Sequence, residues 1–149
     1  MTIYRTNNKI LLVGNGPSLL NLFLGPSINK FHTIVRFNGY QTSGFEEHVG
    51  TRTTIWSRWY ALPAMQNMDE LDEIWLNMPI HERSLDKINA GFNMLGEYAK
   101  KAQIIPSPKV ATSLQFEMFG STESTKWPSS GLLAIVHAIN LGYDVFLAG

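Results

Sequence analysis

"LLVGNGPSLL", residues 11–20, runs three apolar residues straight into glycine, asparagine, glycine, proline and serine. With Lys9 and Ile10 in front, it forms the short continuous apolar segment expected of a strand buried on both faces. Such strands belong to parallel sheets, and in open α/β sheets ligands sit beyond the carboxyl ends of the strands. Gly14-Asn15-Gly16 and, after a later strand, Asn38-Gly39 occupy that kind of position. A plain reverse turn suits these residues, and so does a backbone cradle for a phosphate.

Outward from this strand, strands and helices alternate. After Pro17, "SLLNLFLG" predicts a short helix stopped by Gly25-Pro26. His32–Phe37 is β-branched and predicts a second strand. Thr51–Trp59 alternates and predicts a third, and Asp72–Met78 a fourth behind the acidic linker "DELDE". From Glu82 to Ala102, apolar residues at helical spacing close on lysines, predicting one long amphipathic helix. "QIIPSP" predicts a short strand and "KVATSLQFEMFG" a helix ended by Gly120. After the polar loop "STESTKWPSS", "GLLAIVHAINLGYDVFLAG" predicts a helix, a stop at Gly142 and a strand over Asp144–Ala148. This order implies an α/β fold, a mostly parallel, Rossmann-like sheet flanked by helices. Length predicts a single domain over residues 1–149. Because the sequence closes on a strand, that domain is expected to be incomplete at its carboxyl end.

Composition narrows the partners. Twelve basic residues balance twelve acidic ones, which argues against nucleic acid or an anionic membrane as the main partner. Cysteine is absent, so a disulfide framework, a thiolate metal site and a catalytic cysteine are excluded. The start, "MTIYRTNNK", lacks the apolar core of a signal peptide, and no apolar run approaches the roughly 20 residues of a membrane span. The expectation is a protein of the cytoplasm.

Each candidate site residue has an ordinary reading beside a functional one. "GNGPS" lacks the third glycine of a dinucleotide fingerprint, and the second strand ends in "RFN" where a dehydrogenase needs an acid for the ribose. Asn38 offers donors and an acceptor for a ribose or a pyrimidine, or equally caps an Asn-Gly turn. In "PSSG", Ser129 or Ser130 caps a helix whose Leu132, Ile135, Val136 and Ile139 share a face, and Gly131 leaves room for an anion at the free amides. His32, His48, His81 and His137 show no metal-ligand spacing and read as structural. "DELDE" reads as a solvated linker, and Trp56, Trp59 and Tyr60 as core rather than a sugar platform.

Taken together, three stretches resemble glycosyltransferase family 29, the animal-type sialyltransferases. "ILLVGNGPSL" followed by "IVRFNGYQTSGFEEHVGTRTT" is similar to the family's long donor-binding sialylmotif, and "PSSGLLAIVHAINLGYDVFLAG" to its short one. The two segments cover about half the residues. The resemblance implies a metal-independent, GT-A-like fold with no cofactor, a CMP-sialic acid donor and a glycan acceptor. It implies that Asn15 and Asn38 contact the CMP part and that Gly14, Gly16 and Ser18 shape the turn. Ser129, Ser130 and Gly131 would receive the sugar carboxylate or the phosphate. There are departures. The cysteines that usually tie the two motifs would fall near Ile10 and Gly142 and are absent, which fits a bacterial or viral relative. His48 replaces the usual acid, and the family's catalytic histidine lies in motifs beyond Gly149, so the catalytic residue is unknown. Bacterial sialyltransferases of family 42 share the Gly-Asn-Gly-Pro-Ser-Leu turn but lack the "GFE…VG…TT" stretch. The expected function is inverting transfer of sialic acid, or a related keto-sugar acid, from a CMP-sugar. The alternatives are a non-catalytic nucleotide-binding module and an NAD-dependent Rossmann oxidoreductase.

Overall fold

The computed structural model of the protein describes residues 8–65, 68–123 and 126–149. Residues 1–7, on which the reading of the amino-terminal stretch falls, and residues 124–125 of the polar loop lie outside them. The opening apolar run is strand β1 (Lys9–Val13). It is followed by β2 (Thr33–Phe37), β3 (Ile55–Trp59), β4 (Glu73–Asn77), β5 (Ala102–Ile105) and β6 (Asp144–Ala148). They form one six-stranded sheet in the order β5-β4-β3-β2-β1-β6, and every pairing is parallel. The chain thus steps outward from β1 to β5 and then returns to lay β6 on β1's other side.

Both faces of the sheet are covered, which is why its central strands are apolar without interruption. Ile10, Leu12, Val35, Ile55 and Trp75 pack against Ala134 and Ala138 of helix α5 (Ser130–Asn140). On the opposite face, Leu11, Val13 and Ile34 meet Leu19, Ile28 and Val49, while Trp56, Ile74 and Leu76 meet Met68, Met78 and Leu95. Each large side chain buried this way stabilises by about 1.5–3 kcal/mol. Helices α1 (Gly25–Ile28) and α2 (Glu46–Val49) have four residues each. They are far too short to nucleate alone, so packing on the sheet holds them.

Several expectations need correction. Gly25-Pro26 does not stop a helix but starts α1, with proline at the first turn where its missing N–H costs nothing. The preceding residues make only a 3-10 turn, Pro17–Asn21. The long helix expected over 82–102 is broken into α3 (Leu85–Asn93), capped by Ser84, and a 3-10 segment, Gly96–Lys101. Gly96, the first residue of that segment, takes φ +54, a conformation in which the α-helix cannot continue. The alternation over Thr51–Trp59 is not that of an exposed strand: β3 begins only at Ile55 and is buried continuously as far as Arg58. Helix α5 buries Leu133, Ala134 and Ala138 rather than the face expected, leaving Ile139 exposed. Helix α4 (Pro108–Phe119) with its left-handed Gly120, and Gly142 ahead of β6, are as read. Among the described residues no helix is long and apolar enough to cross a membrane.

Candidate functional site

In a sheet of this order the chain leaves β1 toward β2 on one side and comes back as β6 on the other. The crevice at such a reversal is where α/β sheets bind ligands, and here it opens at Gly14-Asn15-Gly16. The turn is fixed from both sides. The Gly14 N–H donates to the Ala148 carbonyl at 2.8 Å, and the Asn15 side-chain amide donates to the Phe37 carbonyl, at the end of β2, at 3.0 Å. Neither glycine is demanded by the backbone or by packing. Gly16 has φ −70, Gly14 is outside the left-handed region, and a Cβ on either would come no nearer than 3.4 Å to its neighbours. What their missing side chains leave is open space, a cleft of about 280 Å³.

The cleft is walled by Gly14, Asn15, Gly16, Pro17, Leu19 and Leu20 from one side. Gly39, Tyr40, Gln41, Phe45 and Val49 close the other, and Arg36 is the one charged residue among the described residues of its lining. No carboxylate or imidazole occurs among them. Arg36 is buried, and its guanidinium braces the segment that follows α2. Nε donates to the Arg52 carbonyl and to Thr53 Oγ1, both at 3.1 Å, and Nη2 donates to the Val49 carbonyl. Burial pushes its pKa down, partly offset by Tyr40, whose ring lies 5.7 Å away. Arg36 is a site residue that the sequence reading missed. Its signals were a charge inside a β-branched strand and its place in the Arg-x-Asn end of that strand, Arg36-Phe37-Asn38, which the family resemblance includes.

The "GFEEHVGTRTT" stretch acts chiefly by fastening this region. Asn29 Oδ1 accepts from the N–H groups of Thr51 and Arg52 at 2.9 and 3.2 Å, and Arg52 Nη1 donates to the Asn29 and Phe31 carbonyls. Gly50 has φ +71, and a Cβ there would lie 2.6 Å from Asn29 Oδ1. One on Gly25 would lie 2.0 Å from the Glu46 carbonyl. Both positions therefore require glycine. Glu46 accepts from the Gly44 N–H, and backbone N–H groups hold its carboxyl below the usual range.

The other expected residues lie beyond the cleft walls. Asn38 sits at φ +47. Its Oδ1 accepts from the Trp59 N–H at 2.9 Å and its carbonyl from Trp56 Nε1 at 2.8 Å, so it first ties β2's end to β3. Its Nδ2 has no partner among the described residues. Ser18 is exposed on the 3-10 turn. Ser129 is the N-cap of α5, its Oγ accepting from the Leu132 N–H at 3.3 Å, with Ser130 and Gly131 opening the helix. Helix α5 ends at the amino edge of the sheet, where Asp144 N–H donates to the Asn8 carbonyl. Its 11 residues span about 16 Å, so Ser129–Gly131 start at the carboxyl edge, near the turn's side of the sheet but not in the same cavity.

The remaining candidates are structural. His48 stacks on Phe23, and His137 meets Trp75 edge-on at 4.8 Å. His81 Nε2 lies 3.8 Å from Glu82, and His32 is exposed. Among the described residues no group of His, Asp or Glu is arranged to hold a metal. Trp56 and Tyr60 are core, with Tyr60 donating to Glu82, which pushes its hydroxyl up to about 12. The "DELDE" linker is tied at Asp69 by Tyr98 and Lys101.

Comparison with known proteins bears on this geometry. The family model described as "Glycosyltransferase family 29 (sialyltransferase)" matches residues 6–149. Type 2 lactosamine alpha-2,3-sialyltransferase of Mus musculus is 29% identical over 167 residues, covering 95% of this chain and 49% of that protein. The Homo sapiens protein of that name is 30% identical over 162 residues, again covering 95% and 49%. Lactosylceramide alpha-2,3-sialyltransferase of Mus musculus is 26% identical over 168 residues, covering 95% and 40%. The chain thus spans about half the length of the curated relatives it matches. The crystal structure of a mammalian sialyltransferase in complex with Gal-beta-1-3GalNAc-ortho-nitrophenol has the same fold. It superposes with TM-score 0.68 at 19% identity, covering 95% of this chain and 55% of that one.

Proposed function

Because the chain belongs to glycosyltransferase family 29, the sialyltransferases, we propose that it forms the donor-binding part of an inverting, metal-independent transferase. The donor is a CMP-sugar carrying sialic acid or a related keto-sugar acid, and the acceptor is a glycan hydroxyl. The observation that carries this reading is the Gly14-Asn15-Gly16 turn. It lies at the sheet's reversal point and carries two glycines that the fold itself does not need.

In the reaction the acceptor oxygen bonds to the anomeric carbon as the bond to the phosphate oxygen breaks, and CMP leaves with the electron pair. A general base takes the hydroxyl proton. That base is not in the cleft lining, which holds no carboxylate or imidazole among its described residues. The cleft's task is therefore to bind and orient. Asn15 keeps its carbonyl oxygen, and Asn38 its Nδ2, for the cytidine. The α5 amides at Ser129–Gly131 suit the sugar carboxylate. An NAD oxidoreductase is disfavoured, because β2 ends in Arg36-Phe37-Asn38 without the acid that a ribose needs. The relatives' names make lactosamine and lactosylceramide the first acceptors to try. A reducing compartment, the cytoplasm, belongs to the proposal through the cysteine-free sequence alone.

Calorimetric titration with CMP, AMP and NAD tests the reading. CMP is expected to bind best, with the same affinity in EDTA. NAD binding equal to or tighter than CMP overturns it.

A further inference from the structure

A guanidinium removed from water needs a counter-charge or a full set of acceptors. Arg36 has neither. It is 2% exposed, and among the described residues no carboxylate lies within ion-pair distance of it. Three acceptors from residues 49–53 take its Nε and Nη2, while Nη1 has no hydrogen-bond partner among the described residues and is not one of the polar atoms sealed from solvent. Arg58 is buried without a counter-charge as well: it lies against the Trp56 ring at 4.7 Å, bonds two carbonyls and leaves its Nη1 buried without a partner among the described residues, but it is not part of the cleft wall. Arg36 lines the cleft beside Gly14–Gly16, where no acidic side chain competes for it. The compensating anion is missing where an anionic ligand has room to enter.

We propose that Arg36 recognises the nucleotide's phosphate through Nη1, while Nε and Nη2 hold the 49–53 segment that shapes the cleft. The inference rests on the nucleotide reading of the same cleft and adds to it the residue that reads the charge. A planar guanidinium serves both tasks at once, because its donors point in fixed and separate directions. A lysine ammonium cannot bridge the same two places.

The experiment compares cytidine with cytidine 5′-monophosphate by calorimetry on the whole chain. In the unaltered protein CMP is expected to bind more tightly than cytidine. Arg36→Met is expected to reduce CMP affinity roughly ten- to hundredfold, the range for a lost charge-assisted hydrogen bond, with little change for cytidine. Arg36→Lys, which keeps the charge at the end of a long side chain in place of an apolar methionine, is expected to narrow the CMP preference severalfold. Thr53→Val removes one brace acceptor outside the cleft wall and is expected to lower thermal stability while leaving the CMP-to-cytidine ratio unchanged. If Arg36→Met does not fold, the ratio is read on Arg36→Lys. Equal losses for both ligands in the arginine variants overturn the phosphate role and leave a pure brace. If the unaltered chain binds neither ligand, the nucleotide reading itself falls.

Discussion

At Asn38 an ordinary role and a functional one meet in a single side chain. Its φ of +47 lies in the region where asparagine is tolerated and alanine is not, and its Oδ1 caps the Trp59 N–H. Asn38→Ala is therefore expected to cost about 2 kcal/mol in urea unfolding, from left-handed strain together with a lost hydrogen bond. Asn38→Gly relieves the strain and should recover about half of that. A folded Asn38→Gly protein is also expected to bind CMP more weakly, through loss of the Nδ2 donors; unchanged affinity would leave Asn38 a turn residue only. The sequence announced that this asparagine was special but not which of its atoms were already taken. Arg36 was less legible still. Its acceptors, Val49, Arg52 and Thr53, lie 13 to 17 residues downstream, so nothing in the local pattern of β2 distinguishes a buried brace from an exposed charge.

Strands were easier to read than helices. A strand buried on both faces is a continuous apolar word, and β1, β2 and β4 are found within a residue or two of their expected places, as is the more exposed edge strand β6. Helical periodicity survives a break, so the apolar rhythm across residues 82–102 conceals the interruption at Gly96. Likewise, Gly-Pro reads equally as an end and as a beginning. The start of α5 was legible because a serine cap has local chemistry, and it lends itself to a direct test. Gly131 sits in the first turn, and a methyl added there would meet only Ser129 Oγ, at 3.9 Å. Gly131→Ala is expected to raise stability by about 0.5–1 kcal/mol, since glycine weakens a helix by that amount. If the helix-start amides receive the sugar carboxylate, the same methyl should weaken CMP-sialic acid more than CMP. Equal affinities for unaltered and variant protein would make this an ordinary helix start.

Across the molecule, α5 is the element that spans the sheet, and a titratable contact it makes with the core renders the whole fold pH-sensitive. His137 lies against Trp75, and burial lowers its pKa from 6.5, with Glu73 opposing. The folded state therefore favours neutral imidazole. Stability is expected to be full above about pH 6.5 and to fall as acid protonates the unfolded chain first. His137→Leu should flatten that slope in urea titrations between pH 7 and 5; an unchanged slope would clear this histidine. The global topology was implied by the alternation of strands and helices, but not the return of β6 to β1. That return also has a consequence in time. A ribosome delivers β1 first, yet the Ala148 carbonyl that holds Gly14 emerges only after α5 has been made. Until then the glycine turn is fixed on one side alone, and β1 remains a bare edge during synthesis. Ligand recognition thus waits until β6 has been made, and a chaperone that shields β1 would guard the site before it exists.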